Sequence, residues 1–287
     1  ALTLVRRGSE LEAAPATRYA LAAAEGEWAR DLGDSTASAT AYDRALALAS
    51  DPPERCEAYI GVAAAHRLTS AVGPGLAALD AAEAIASGLR SSRALARIAY
   101  LRGSFDFVRG DSESCARHHS LALGFAREAG DEGCEAQALS GLADVHYAQG
   151  RIATAHDAFT RCVALFERRG DLRASLTNRC MIGITGMYLC RHTEGLAAID
   201  VAREGARATG HRVAEVMADE SAAMLLASAG RFDEARAPAE RSLALARRIA
   251  SRRFAAIDLV ILAYAAHHAG DRPQARELLD EAWAMCV

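Results

Sequence analysis

The sequence predicts an all-α fold, an αα-superhelix or solenoid of about seven helix hairpins with a period of about 40 residues. Three observations predict it. Gly110, Gly150, Gly230 and Gly270 recur one period apart, with Ser70 and Cys190 in the matching places and Gly33 slightly out of step. A second column of small residues precedes these turns: Gly26, Ala63, Gly103, Ala143, Gly183, Ala223 and Ala263. Between the columns apolar residues return at helical spacing, as in Ala155, Ala158, Phe159, Cys162, Val163 and Phe166, without strand-like alternation. Each unit therefore reads as helix A, a tight turn, helix B and a short loop. Antiparallel helices approach closely only where facing side chains are small, and a larger residue then fills the gap towards the next hairpin. The turn is mostly glycine because helices often end on a left-handed residue.

The units follow in order. In the first, 14–50, Pro15 precedes the first full helix, Gly33 marks the turn and Ser38, Tyr42 and Ala45 pattern helix B. Pro52–Pro53 read as a linker to the second unit, 54–90, where Ser70 is the turn and Gly75, Leu79 and Ala82 face the partner helix. The third, 94–130, turns at Gly110 and carries Cys115, His119 and Ala122; Gly130 ends it. The fourth, 134–170, turns at Gly150, with Ala155, Phe159 and Cys162, and ends at Gly170. The fifth, 174–210, turns at Cys190, with Gly195, Ile199 and Ala202, and ends at Gly210. The sixth, 214–250, turns at Gly230; Pro238 falls in the first turns of its helix B, where a proline bends the chain. The seventh, 254–287, turns at Gly270, with Pro273 near a helix start, then Ala275, Leu279 and Ala282. Asp131 and Asp171 suit the N-cap region of the helices they precede.

Composition narrows function. The 287 residues are 51% apolar and 24% charged, a folded chain's balance, and the net charge of −4 offers no attraction to nucleic acid or anionic membranes. All 33 basic residues are arginine, which excludes the lysine of a P-loop, of a kinase or of a Schiff base. The seven cysteines form no C-x-x-C pair and read as reduced thiols of a cytoplasmic protein. No signal peptide is evident, and the most apolar stretch, Phe254 to Ala266, is too short to span a bilayer. Both ends look cut, so the sequence reads as a segment of a longer protein.

No catalytic, cofactor or metal site is expected. His118–His119 and His267–His268 are adjacent pairs, pointing about 100° apart on a helix, and cannot share one metal. No G-x-S-x-G elbow occurs. The Arg pairs at 168–169, 247–248 and 252–253 read as helix C-terminal cations.

The columns small-x6-Gly and Ala-x3-Phe-x2-small resemble the tetratricopeptide repeat over nearly the whole chain, with a longer period than the family's 34 residues. Arg55 to Thr69, Tyr100 to Phe107 and Gly141 to Arg151 are similar to the C-terminal repeat regions of large bacterial class III adenylate/guanylate cyclases carrying an ATPase module; LuxR-type regulators are the second group of this kind. The resemblance implies that A helices line a concave groove. Its register gives Arg97, Tyr100, Phe107, Asp144, Tyr147, Met187, Glu220 and Met224 as groove positions. Cys180 faces the same side. Aromatic and methionine side chains suit adaptable binding surfaces, or else they pack only against neighbouring helices.

The expected function is a non-catalytic regulatory module of a bacterial signalling protein, holding a partner protein or peptide segment in the groove. The alternatives are a small-molecule effector sensor using the same groove, and packing against the parent's own ATPase or cyclase domain.

Overall fold

The computed structural model describes residues 14–31 and 34–286, and helix makes up 86% of them, with no strand. The turn position Gly33 lies outside the described residues. The helices are α1 (Pro15–Asp31), α2 (Ser35–Leu48), α3 (Pro52–Leu68), α4 (Val72–Gly88), α5 (Ser92–Val108), α6 (Ser112–Glu128), α7 (Glu132–Ala148), α8 (Ile152–Arg168), α9 (Leu172–Tyr188), α10 (His192–Thr209), α11 (Arg212–Ser228), α12 (Phe232–Arg248), α13 (Arg252–His268) and α14 (Arg272–Cys286). The chain divides into two compact units, one running to Val145 and the other from His146. In the first, α1, α3 and α5 stand side by side and pack on α2, α4 and α6. In the second, α9, α11 and α13 do the same with α10, α12 and α14.

Local chemistry sets the helix ends. From α3 to α13 every helix is followed by a left-handed residue, glycine in seven places and Ser70, Arg90, Cys190 and Ala250 in the others. The next residue's N–H then closes on a carbonyl of the last turn, as from Asp111 to Asp106 (3.0 Å) and from Asp271 to Ala266 (2.9 Å). Aspartates begin the following helices: Asp111 accepts from the Ser114 N–H, Asp131 from Cys134 and Asp171 from Ala174. Outside glycine the left-handed conformation is strained, so Ala250→Gly is expected to stabilise the chain by about 0.5–1 kcal/mol. Ala269→Gly, at a right-handed φ of −75, should lower stability instead. Paired urea titrations of the two variants read the opposite signs.

Packing follows the small columns, every member of which is buried. Tyr42, His119 and Ile199 of three B helices wedge into space that only a glycine leaves. The His119 ring lies so close to Gly103 of α5 and Gly141 of α7 that a Cβ at either would stand 2.8 and 2.4 Å from it. Burial holds this imidazole neutral, its pKa pushed down to about 4.

Three local expectations are corrected. Pro52 and Pro53 are not linker but the first turn of α3, where proline's missing N–H costs nothing. Arg252 and Arg253 open α13 rather than closing a B helix; Arg253 lies over the Phe254 ring at 4.3 Å. Cys180 does not face a groove. It is fully buried among Ile199, Ala202, Ala218 and Leu225, and burial pushes its thiol up to about 12. Pro238 lies buried within α12, which runs on through it to Arg248.

Candidate functional site

The second unit holds an apolar cavity of about 560 Å³. Helical spacing builds it: Ile257, Val260 and Tyr264 share one stripe of α13, and Met224 and Ala227 one stripe of α11. Met187 from the last turn of α9 and Leu279 and Trp283 from α14 complete the wall. Tyr264 and Trp283 are 57% and 71% exposed, an unusual outlay of aromatic surface in water. Methionine on the wall lets the cavity adjust to its contents. Its volume is that of a site for a small ligand or a few peptide side chains.

The first unit holds a smaller, polar cavity of about 190 Å³, bordered by Arg30, Arg67, Arg97, Tyr100 and Gln137. The structure thus places Met187 and Met224 on one cavity, and Arg97 and Tyr100 on another. The other four groove positions line neither. Phe107 is 53% exposed at the end of α5. Tyr147 is half-buried with its ring tilted against Tyr188 at 6.1 Å; burial, then the Tyr188 hydrogen bond, pushes its hydroxyl up to about 12. Asp144 is half-buried, and desolvation pushes its carboxyl up to about 7. Glu220 is only 7% exposed, its Oε1 has no hydrogen-bond partner, and burial pushes its carboxyl up to about 7 against the opposing charge of Arg253.

Sequence reasoning missed Arg30 and Arg67, and on α14 Leu279 as a wall residue and Trp283. The first two were within reach: they fall in the groove register once it is extended to the first two hairpins. Leu279 and Trp283 sit on a B helix, outside that register.

Among the described residues no group of three or more His, Cys, Asp or Glu side chains could hold a metal ion, and no helix is long and apolar enough to cross a membrane.

A family model for the tetratricopeptide repeat matches residues 221–254. No curated protein sequence matches the chain. Solved structures are similar in fold. A Rap protein complexed with Competence and Sporulation Factor superposes with a TM-score of 0.73 at 14% identity, over 93% of this chain and 76% of that one. NprR in complex with its cognate peptide NprX gives 0.67 at 14% identity, over 91% and 76%. A signal-transduction ATPase with a tetratricopeptide repeat sensor from Pyrococcus horikoshii gives 0.66 at 13% identity, over 99% of this chain and 47% of that one. At these identities the likeness is one of fold. With a hairpin repeat in the sequence, a matching repeat model and neighbours of the same build, the chain is a tetratricopeptide-like helical array.

Proposed function

We propose that the chain is a non-catalytic regulatory module that captures an apolar segment of a peptide or protein partner on its A helices. The observation that carries this reading is the Met-lined cavity between α9, α11, α13 and α14, with Tyr264 and Trp283 left exposed on its wall. Large, rigid aromatic side chains supply contact area at little entropic cost. The complex of NprR with its cognate peptide NprX supports the choice of a peptide over other occupants. The ATPase with a repeat sensor supports a place within a larger signalling protein, of which a cyclase–ATPase or LuxR-type regulator is the kind we favour. The described cysteines form no disulfide, in keeping with a cytoplasmic setting.

The test is a set of short synthetic peptides with Leu, Phe or Ile at their centre, titrated against a Trp28→Phe chain, in which Trp283 is the one tryptophan, while its fluorescence is followed. A binding peptide should shift the emission saturably and raise the melting temperature. Tyr264→Ala should then cost about 1–2 kcal/mol of affinity while leaving the melting temperature of the free chain within a few degrees. A set in which no apolar peptide binds, or in which Tyr264→Ala binds as tightly as the parent chain, overturns the reading.

A further inference from the structure

We propose that the first unit carries a binding site for an oxyanion, a carboxylate or phosphate group, in the cavity where Arg30, Arg67 and Arg97 converge. This site stands apart from the apolar cavity of the second unit and does not depend on the peptide reading.

Three successive A helices each contribute one guanidinium: Arg30 from the last turn of α1, Arg67 from the last turn of α3 and Arg97 from the first half of α5. The Tyr100 ring and the Gln137 side chain border the same space, and Ile60 forms part of its floor. An apolar floor lowers the local dielectric and strengthens every charge interaction above it. The volume, about 190 Å³, fits one acid group and not a folded segment.

One donor in this cavity, on Arg67, is not answered by the chain. Arg97 pairs with Glu57, whose side chain is 46% exposed and is not among the residues lining the cavity. Arg30 adds a second guanidinium and lies 3.7 Å from Glu27 of its own helix. The Nε of Arg67 is buried and has no hydrogen-bond partner. A buried, unanswered guanidinium donor is costly, and an acceptor in the cavity would relieve it.

The second unit shows what this scaffold does with three arginines when the anion is built in. There Asp219, 2% exposed, is held by Arg241 at 2.8 Å, Arg207 at 3.4 Å and Arg203 at 3.6 Å. Three guanidinium groups border the cavity of the first unit, and no carboxylate is among the residues that line it. Arginine's planar fork matches both carboxylate and phosphate oxygens, so the shared chemistry is the oxyanion.

The experiment is calorimetric titration of the chain with inorganic phosphate and, separately, with succinate, at constant ionic strength set by chloride. One saturable binding event is expected in at least one arm, and the tighter arm identifies the acid group. Arg67→Gln is expected to weaken that event at least tenfold, with Arg67→Lys in between because the charge remains and the fork is lost. Arg248→Gln, at an exposed position of α12, should bind as the parent chain does. Should Arg67→Gln fail to fold, Arg30→Gln carries the same expectation. Absence of saturable binding in both arms overturns the proposal. So does unchanged affinity in the folded Arg67 or Arg30 variant.

Discussion

Replacing Gly183 by leucine is expected to cost the second unit about 3 kcal/mol or more. At Gly183 α9 packs directly against the backbone of α10. A Cβ there would stand 2.4 Å from Ile199 Cγ1, 2.5 Å from its Cδ1 and 3.2 Å from the carbonyl oxygen of Gly195. Across the gap, a Cβ on Gly195 would stand 3.1 Å from the Gly183 carbonyl oxygen and 2.7 Å from Leu225 Cδ1. Ile199 could rotate to admit a methyl group, but the backbone of α10 cannot retreat without giving up its contacts with α11. Leucine therefore forces the hairpin apart. In a repeat array each hairpin is held mainly by its neighbours, so the damage should concentrate near α9–α11. Urea unfolding gives the loss, and amide hydrogen exchange shows where protection falls. Glu234→Ala, on an exposed helix face paired only with Arg231, should change stability by less than about 0.5 kcal/mol. A Gly183→Leu variant as stable as Glu234→Ala would contradict the helix–helix contact described here.

Asp258→Ala is expected to stabilise the second unit by about 2–4 kcal/mol above pH 8, and by much less at pH 5. Asp258 is 0% exposed, and neither carboxyl oxygen has a hydrogen-bond partner. At the corresponding place of the second to sixth units stand Ala58, Ile98, Ala138, Asn178 and Ala218, so a small apolar side chain fits there. Burial pushes the Asp258 carboxyl up to about 8. Of its surroundings, Ser242 of α12 favours the charged form, while Glu220 and Asp219 of α11 oppose it. The Ser242 hydroxyl is already donated to the Val216 carbonyl at 3.3 Å.

The sign follows from proton counting. Below about pH 4 the carboxyl is protonated in both folded and unfolded chains and costs nothing extra. Between about pH 4 and about 8 the unfolded chain has lost the proton that the folded chain keeps, so stability falls as pH rises. Glu220, raised to about 7, acts in the same direction over a narrower range. Urea titrations of both chains at pH 5 and pH 8.5 should show the gain growing with pH. An equal gain at both values would mean that Asp258 keeps its charge in the fold and finds a partner there.

Much of the array is legible in the primary structure because its causes are local or strictly periodic. Small residues recur at Gly103, Ala143 and Gly183 since each hairpin repeats one contact. Gly110 and Gly150 recur because each helix must end on a left-handed residue. Asp131 and Asp171 announce helix starts because capping depends on residues three positions away. The register that placed Arg97 and Tyr100 on the A helices also reaches Arg30 and Arg67, since the same face returns in every unit.

Other features depend on what one helix finds opposite it. The register implied by the tetratricopeptide resemblance put Cys180 and Glu220 on an open face; both are buried, because neighbouring helices press close enough to cover that face in the second unit. Asp258 reads as one polar interruption of an apolar run, and only the positions of α11 and α12 show that no cation answers its charge while Glu220 and Asp219 oppose it. Trp283 belongs to a cavity wall because α14 brings it to the same cavity as Tyr264 of α13, a placement that spans two helices. Helix boundaries, turns and the repeating contact were thus determined by the sequence itself, through interactions spanning a few residues or one period. Which faces close, which charges lose their water and where cavities remain were decided by tertiary packing, because desolvation depends on every element surrounding a group and not on the helix that carries it.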